Sequence, residues 1–468
     1  MATIRLFRHH VRLPFFMLAL VEMLVLVGGV LGAVLLCSSD DSGIVRGSVR
    51  WLMPRTIAYV AVMMLCLVAM NLYQARLRKG IFGILLRISA GFLVGAVTLP
   101  LLYYLVPNLL LPQGALVRAM LISFAGVCAS RAAFYALMDR NLLHHRVLVL
   151  GAGAKAASVL GQMRRHSDQM GFTVVGFVPV RGELETVDAS KIVRCETSLL
   201  DCAEAHGIDE IMVAVDDRRQ QLPLHELLDC KMSGIQVIDV VTFFERMIGK
   251  IRLDLLSPSW MIFSEGFGRH PLSSHSKRLL DIVAAATIAA ASWPLMLLAC
   301  LAIRIEDGWR SPVLYRQVRV GQDGRPFELL KFRSMHVGAE QDDEVLWAAE
   351  NDSRITRVGA VLRKYRIDEL PQLLNILRGD MSLVGPRPER PEHIARLVEA
   401  IPYYAERHRV KPGLTGWAQL CYRYGASEED AMEKLQYDLY YVKNHGLFLD
   451  LIILLQTAEV ILFSKGVR

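Results

Sequence analysis

The chain has 468 residues, of which 53% are hydrophobic, and its mean hydropathy is +0.33. A soluble globular chain carries a smaller apolar share, so part of this chain is predicted to lie in lipid. The formal net charge of +7 favours anionic lipids or anionic substrates as partners. The sequence has neither zinc-finger spacing nor interleaved aromatic and basic residues, which predicts no nucleic-acid partner. The cysteines lack paired metal spacing, so reduced thiols and no structural metal are expected.

Residues 1–140 are predicted to form a transmembrane bundle of four helices. Four apolar runs, 13–36, 56–73, 81–106 and 115–138, each approach the roughly 20 residues that a helix needs to cross a bilayer. Basic residues precede the first run, separate the second from the third and follow the fourth, so both ends of the bundle are expected to face the cytoplasm. Arg87, Arg118 and Arg131 lie in or near the runs, which favours snorkelling or pairing between helices over a transport pathway.

Residues 141–256 are predicted to form a Rossmann-like α/β domain. An apolar strand at 146–150 leads into Gly151-Ala152-Gly153-Ala154-Lys155-Ala156, the Gly-x-Gly-x-x-Ala form of a phosphate-binding turn. Strands at 173–178, 210–215 and 236–240, separated by helices, are typical of a parallel sheet. The second strand ends in Pro179-Val180-Arg181, where a dinucleotide enzyme would place a ribose-binding acid. A scaffold, a dimer contact or a regulatory nucleotide pocket is therefore favoured over a nicotinamide site, and a homodimer through this segment is expected.

Residues 257–276 are rich in turn formers and are predicted to be a linker, after which a fifth apolar run occupies 279–305. Pro294 stands inside this run, where it removes a backbone donor and breaks a helix. Basic residues flank both ends of the run, and a straight span would carry one basic cluster to the outer side, against the positive-inside bias. We therefore predict a re-entrant membrane helix bent at Pro294, with a kinked fifth span as the alternative.

Residues 277–468 are predicted to form a mixed α/β catalytic domain. Strands are expected at 312–319 and 327–332, and helices at 359–366, 371–377 and 428–444. The apolar end of the chain, 447–463, suits an interfacial helix. Two loops, 379–387 and 411–417, contain prolines that hold a basic residue in a stiff segment.

The adjacent carboxylates Asp368 and Glu369 follow three basic residues and precede Pro371, which suits the first turn of a helix. A helix start offers unpaired N–H groups and a positive dipole end, so Asp368 is expected to stay ionised. An ionised carboxylate among phosphate-binding arginines can attack phosphorus. The alternative interpretation is an ordinary helix N-cap.

Several groups that can bind phosphate occur in the same region; they are Lys331, Arg333, Arg363, Arg366, Arg387 and Lys411. A guanidinium held in a rigid segment can bind two phosphate oxygens at once. Together with a membrane location and the acid pair, these groups predict phosphoryl transfer from a nucleotide-activated donor to a lipid phosphate. A divalent cation, Mg²⁺, is expected to bridge the donor phosphates and to be held by few carboxylates.

The ordered motifs resemble one family; they are KRLLD (277–281), PVLYRQ (312–317), KFRSM (331–335), DELPQ (368–372), GDMSLVGPRP (379–388) and KPGLTGWAQ (411–419). This order resembles the bacterial sugar transferase family, the polyprenyl-phosphate hexose-1-phosphate transferases, also called monotopic phosphoglycosyl transferases. The apolar bundle and the Rossmann-like segment resemble the large form of the family, which initiates exopolysaccharide or O-antigen synthesis. The resemblance implies an enzyme of the bacterial inner membrane whose catalytic domain faces the cytoplasm.

The resemblance also implies roles for individual residues. Asp368 corresponds to the covalent nucleophile, which attacks the sugar-bearing phosphate of a UDP-sugar and releases UMP before undecaprenyl phosphate accepts the sugar phosphate. Glu369, with Asp368, would help to hold Mg²⁺; no other cofactor is expected. Arg363 and Arg387 correspond to the family's phosphate-binding arginines.

Lys331 and Arg333 match the family's Lys-Phe-Arg element, which we assign to substrate phosphate. At the membrane break the family often has Ser-Pro, where Trp293-Pro294 stands here.

Two other functions compete with this hypothesis. A Rossmann-based nucleotide sensor or scaffold on a membrane bundle would have no transferase activity and would release no UMP. A processive glycosyltransferase would add sugar to a hydroxyl group and would release UDP.

Overall fold

A computed structural model describes residues 3–6, 9–38, 49–70, 72–73, 81–111, 114–139, 145–162, 172–195, 197–217, 222–264, 266–267, 271–336, 354–422 and 427–462. The chain divides into two compact units, of which the first holds residues 1–6 and 10–247 and the second holds residues 7–9 and 248–468. The basic loop residues that bear on orientation, Arg76, Arg78, Lys79 and Arg140, lie outside the described residues.

The first unit begins with two short strands and four long helices. These are β1 (Thr3–Leu6), β2 (His9–Arg12), α1 (Leu13–Ser38), α2 (Val49–Ala69), α3 (Ile81–Leu105) and α4 (Ala115–Asp139). All four helices are long and apolar enough to cross a membrane, and the chain is therefore a membrane protein. The four predicted helices are confirmed, although α2 begins at Val49 rather than at residue 56.

A buried ion pair joins α1 to α4. Glu22 is fully buried and Arg131 is 2% exposed, and Arg131 Nε lies 2.7 Å from Glu22 Oε1. Arg131 Nη1 also donates to the carbonyl oxygen of Leu72 at 2.9 Å, and the Tyr73 hydroxyl donates to Glu22. Pairing between helices was one of the two predictions for Arg131, and it is confirmed.

The remainder of the first unit is an α/β domain. Its elements are β3 (His145–Leu150), α5 (Ala154–Gln162), β4 (Phe172–Val178), α6 (Leu199–Ala205), β5 (Glu210–Val213), α7 (Leu224–Met232), β6 (Gln236–Asp239) and α8 (Val240–Ile248). The strands pair in parallel in the order β4-β3-β5-β6, as predicted. Cys195 and Cys202 form a disulfide, so the expectation of reduced thiols is wrong for this pair.

The second unit contains the remaining helices and strands. They are α9 (Pro258–Phe263), α10 (Pro271–Asp307), β7 (Leu314–Val320), β8 (Pro326–Phe332), α11 (Arg357–Lys364), α12 (Gln372–Arg378), β9 (Ser382–Val384), α13 (Pro391–Ala400), β10 (Gly413–Thr415), α14 (Trp417–Cys421), α15 (Glu428–Asn444) and α16 (Leu447–Leu462). The segment 257–276, predicted as a linker, contains α9 and the start of α10. The segments 379–387 and 411–417, predicted as loops, contain β9 and β10, which pair in parallel; three residues are too few to show a strand period.

Both ends of α10 contact the same part of the second unit. Arg278, near its start, donates to the carbonyl oxygen of Ile376 at 2.5 Å. Ile303, near its end, belongs to an apolar cluster against which Leu370 packs. Pro294 lies between these two contacts.

The buried pair predicts a strong effect of removing one partner. Arg131→Met would leave the Glu22 carboxylate buried and unpaired, which costs about 3–5 kcal/mol of stability. We expect a clear fall in the apparent melting temperature of the detergent-solubilised protein. The double variant Glu22→Gln with Arg131→Met should recover most of the loss, and the exposed Arg118→Met should change little. A single variant that melts with the wild type would contradict the prediction.

Candidate active site

The acid pair lies in a single 3-10 turn between α11 and α12. Arg366 has a left-handed backbone with φ of 55°, which ends the path of α11 and starts the turn Ile367–Glu369. Asp368 and Glu369 are only 9% and 8% exposed. Pro371 occupies the N-cap position of α12, and no side chain caps that helix. The alternative interpretation of the pair as an ordinary N-cap is therefore wrong.

Arg387 reaches the acid pair from the β9–β10 pair. Its Nη2 donates to Glu369 Oε1 at 2.9 Å. The segment that carries it is fixed because Gly385 N donates to the carbonyl oxygen of Thr415 and Gly413 N to that of Pro386, both at 2.9 Å. A Cβ on Gly413 would overlap the Gly385 nitrogen, so the two backbones can approach this closely only with glycine there.

Two further arginines hold the same segment by its carbonyl oxygens. Arg407 Nη2 donates to the carbonyl oxygen of Arg387 at 3.0 Å, and Arg319 Nη1 donates to that of Pro388 at 3.2 Å. Arg407 is itself paired with the buried Asp438 at 2.8 Å. The Arg387 side chain is thus presented from a backbone that is bonded on both sides, which limits its range of positions.

The two carboxylates differ in pKa. Burial and the charge of Glu369 raise the pKa of Asp368 to about 6, although nearby cations oppose the rise. Burial also disfavours the Glu369 anion, but Arg387 and Lys331 outweigh it and hold the pKa of Glu369 at about 2. Burial thus raises the pKa of Asp368 instead of lowering it. With a pKa of about 6, Asp368 is nevertheless mainly ionised near pH 7.

The structure brings four of the six candidate phosphate-binding residues to the acid pair. Lys331, Arg363 and Arg387 all exert charge effects on Asp368. Arg366 Nη1 lies 3.6 Å from Glu369 Oε1. Burial and the charge of Arg387 lower the pKa of Lys331 to about 8. This amine therefore titrates closer to neutral pH than an ordinary lysine does.

Arg333 and Arg363 each have a buried nitrogen atom that can donate to an anionic group. Arg333 Nε and Arg363 Nη1 are buried and have no hydrogen-bond partner among the described residues. Arg333 follows Lys331 by two residues, so the alternation of an extended chain directs both side chains to one face. A buried guanidinium nitrogen without a partner is costly, and a phosphate oxygen would satisfy it.

Lys411 lies elsewhere. Burial and the charge of Arg278 lower the pKa of Lys411, with further effects from Asp281 and Asp380. Its neighbours are thus the start of α10 and the loop after α12, and it is not among the residues whose charges act on Asp368. Sequence reasoning assigned Lys411 to the substrate phosphate because it lies in a rigid basic loop that contains proline, but its ammonium group lies near Gly379.

Sequence reasoning missed two residues near the pair. Arg319 and Gln372 line a small recess together with Lys331 and Arg387. Gln372 belongs to the DELPQ motif, four residues after Asp368, so the sequence placed it near the acid pair along the chain. Arg319 had no such signal, because its place depends on the pairing of β7 with β8.

Comparison with known proteins identifies the family. The family model described as "Bacterial sugar transferase" matches residues 272–464. A protein of Escherichia coli named UDP-glucose:undecaprenyl-phosphate glucose-1-phosphate transferase is 35% identical over 346 residues, 71% of this chain and 71% of that protein. The chain belongs to the bacterial sugar transferase family. The predicted family and the predicted enzyme class, a sugar transferase, are confirmed.

Two further relatives cover less of this transferase. A Caulobacter vibrioides protein with the same name as the E. coli relative is 47% identical over 192 residues, 41% of this chain and 71% of that protein. The UDP-N-acetylgalactosamine-undecaprenyl-phosphate N-acetylgalactosaminephosphotransferase of Aeromonas hydrophila is 39% identical over 242 residues, 52% of this chain and 56% of that protein. The match therefore spans little more than half of the A. hydrophila relative.

The acid pair has the composition of a partial metal site. Among the described residues, no group of three or more His, Cys, Asp or Glu side chains is placed to hold a metal ion. Mg²⁺ characteristically uses one or two protein carboxylates and completes its shell with substrate phosphates and water. Asp368 and Glu369 fit that limited contribution, and the cations around them fit the phosphates.

The raised pKa of Asp368 predicts a pH-dependent effect of Asp368→Asn. The protonated Asp368 carboxyl stabilises the fold at a pH below the pKa that Asp368 has in the unfolded chain. This stability is lost as the pH rises through about 6, its pKa in the folded protein. The neutral amide avoids that loss, so at pH 7 the free energy of unfolding of the variant should exceed that of the wild type by up to about 3 kcal/mol. The variant should therefore melt at a higher temperature. The gain should shrink as the pH falls towards 4.

Thermal unfolding of the detergent-solubilised protein between pH 4 and pH 8 measures this effect. Glu399→Gln, which removes an exposed carboxylate from α13, is the control and should show no such trend. A difference between Asp368→Asn and the wild type that does not change with pH would refute the assignment of the raised pKa.

Proposed function

We propose that this transferase moves a hexose-1-phosphate from a UDP-sugar to undecaprenyl phosphate through a covalent intermediate on Asp368, with release of UMP. The observation that carries the proposal is the buried acid pair among Lys331, Arg363 and Arg387. A carboxylate with a raised pKa is a better nucleophile than an ordinary one and is still ionised near pH 7. The relatives named above act on UDP-sugars and undecaprenyl phosphate by their names.

The proposed reaction has two displacements at one phosphorus atom. An Asp368 carboxylate oxygen attacks the phosphorus that bears the sugar, the bond from this phosphorus to the bridging oxygen breaks, and UMP leaves with the electron pair. A phosphate oxygen of undecaprenyl phosphate then attacks the same phosphorus, and the bond to Asp368 breaks. The products are undecaprenyl diphosphate sugar and the free carboxylate.

The main role of the cations in this proposal is to compensate the negative charge of Asp368 and of the two substrates. The donor diphosphate and the lipid phosphate are both polyanions, so their approach to an ionised Asp368 must be compensated by fixed positive charge. Lys331, Arg363 and Arg387 supply it from three different elements of the second unit, and Arg387 is oriented by its bond to Glu369. A Mg²⁺ ion held by Glu369 and Asp368 would neutralise part of the charge on the donor phosphates.

We place the reaction at the cytoplasmic face of a bacterial inner membrane, as the first step of exopolysaccharide or O-antigen synthesis. In this proposal α10 is the re-entrant helix, which enters the bilayer, bends near Pro294 and returns to the same face. The contacts of Arg278 and Ile303 with neighbouring parts of the second unit support the return. Ser292 Oγ donates to the carbonyl oxygen of Ile288 at 2.7 Å, which engages the hydroxyl just before the break. A homodimer stays a prediction.

The competing functions lack a comparable observation. A sensor or scaffold gives no reason for a buried acid pair surrounded by cations, and family membership does not favour it. A processive glycosyltransferase would release UDP. A screen of UDP-hexoses with undecaprenyl phosphate, in which UMP and UDP are separated, distinguishes the three functions and identifies the sugar.

Asp368→Asn is expected to abolish both UMP release and any protein-bound sugar phosphate, because the amide cannot attack phosphorus. The protein should still insert and fold, since the substitution removes an unfavourable buried charge. UMP release is measured by chromatography, and the adduct by mass spectrometry of the intact protein mixed with UDP-sugar. Glu399→Gln, also a loss of one carboxylate in the second unit, should retain activity. Appreciable turnover by Asp368→Asn would remove this residue from the nucleophile role.

The re-entrant path of α10 predicts that both of its ends are accessible from one side. Cysteines introduced by Ser259→Cys and Arg310→Cys flank the helix and should react equally with a membrane-impermeant thiol reagent in vesicles of one orientation. Labelling of the parent protein corrects for its native cysteines. Reaction of the two positions from opposite sides would show a spanning helix and would exclude the re-entrant path.

A further inference from the structure

The glycine turn between β3 and α5 is occupied by two carboxylates of this chain. Asp216 Oδ2 accepts from Ala154 N at 2.8 Å, and Asp216 Oδ1 accepts from Lys155 N at 2.9 Å. Glu183 Oε2 accepts from Ala152 N at 2.8 Å. These amides belong to the turn and the helix start that hold the pyrophosphate in a dinucleotide-binding domain. Here the anion at these amides is the protein itself.

The second glycine of the turn accommodates these carboxylates. A Cβ on Gly153 would overlap the Asp216 carboxylate and lie 2.8 Å from Glu183 Oε1. In a dinucleotide-binding domain the same glycine leaves room for the pyrophosphate. The turn therefore has the geometry of a phosphate-binding motif, but the groups bound at it are carboxylates of the same chain.

Further bonds tie the surrounding loops to the turn. Glu183 Oε1 accepts from Asp216 N at 3.1 Å, which joins the two carboxylate-bearing loops. Lys155 Nζ donates to the carbonyl oxygen of Asp216 at 2.9 Å, and Thr186 N donates to that of Ala152 at 2.8 Å. These hydrogen bonds hold the loops that follow β4 and β5 across the carboxyl ends of the strands. An open sheet of this kind binds its ligand at that edge.

We propose that the glycine turn of this domain is an anion site filled by Asp216 and Glu183, so that the domain binds no nucleotide there. An incoming phosphate would have to displace both carboxylates and face their negative charge, with bonds between the loops broken as well. Of the roles predicted from the sequence, the inference removes the regulatory nucleotide pocket at this turn and leaves a structural role. It is independent of the proposed transferase reaction.

Hydrogen–deuterium exchange of the full-length protein in detergent tests the inference without an activity measurement. The peptide over residues 151–157 should exchange slowly in the wild type with no nucleotide added. Millimolar NAD⁺ or ATP should leave that rate unchanged. Asp216→Asn replaces one of two acceptor oxygens by a donor, and exchange at the turn should become about tenfold faster.

Two controls separate a local effect from general unfolding. The peptide over β3 serves as an internal reference, because global unfolding would accelerate its exchange as well. Glu183→Gln should accelerate exchange at the turn, whereas Glu185→Gln, an exposed carboxylate on the same loop, should not. Fast exchange at the turn of the wild type, or slowing by NAD⁺ or ATP, would overturn the inference.

Discussion

The second unit depends on the placement of two adjacent carboxylates in a desolvated turn. Asp368 and Glu369 are both buried, and two like charges so close in a low dielectric cannot both ionise without cations nearby. The arrangement resolves this unequally, with a pKa of about 2 for Glu369 and about 6 for Asp368. Glu369 is paired with Arg387, and the anion of Asp368 is less stabilised, as the proposed nucleophilic role requires.

The cations reach this turn from elements that are far apart in the chain, so the scaffold must fix several segments at once. Buried Asn375 links two of them, since its side chain accepts from Leu330 N at 3.0 Å and donates to the carbonyl oxygen of Glu328 at 2.7 Å. These bonds hold α12 against β8, and with them the turn of Asp368 against the strand of Lys331. The β9–β10 pair does the same for Arg387. The precision of the site therefore comes from hydrogen bonds to the backbone of these elements.

The two α/β parts of the chain use carboxylates beside a helix start in opposite ways. At the glycine turn, Asp216 and Glu183 are satisfied by amides of the same domain, so nothing remains for a phosphate. At the acid pair, arginine nitrogens of the surroundings are buried without partners among the described residues. The first arrangement is complete within the protein, whereas the second leaves donor nitrogens that the proposed phosphate substrates could satisfy. A motif alone does not distinguish these cases, because the difference lies in which side chains return to it.

The sequence by itself determined the features that depend on local pattern. The apolar runs predicted the four N-terminal helices because helix length and composition are local, and the strands of the parallel sheet followed from short apolar segments between helices. The ordered motifs predicted Asp368, Glu369, Arg363, Arg387 and Lys331 as candidate site residues. Tertiary structure decided what depends on contacts between distant segments: the β9–β10 pair, the pairing of Glu22 with Arg131 and the entry of Arg319 into the site. It also decided the separate position of Lys411, the raised pKa of Asp368 and the filled glycine turn. Burial and the direction of a side chain arise only when separate segments pack together, and no local period in the sequence records them.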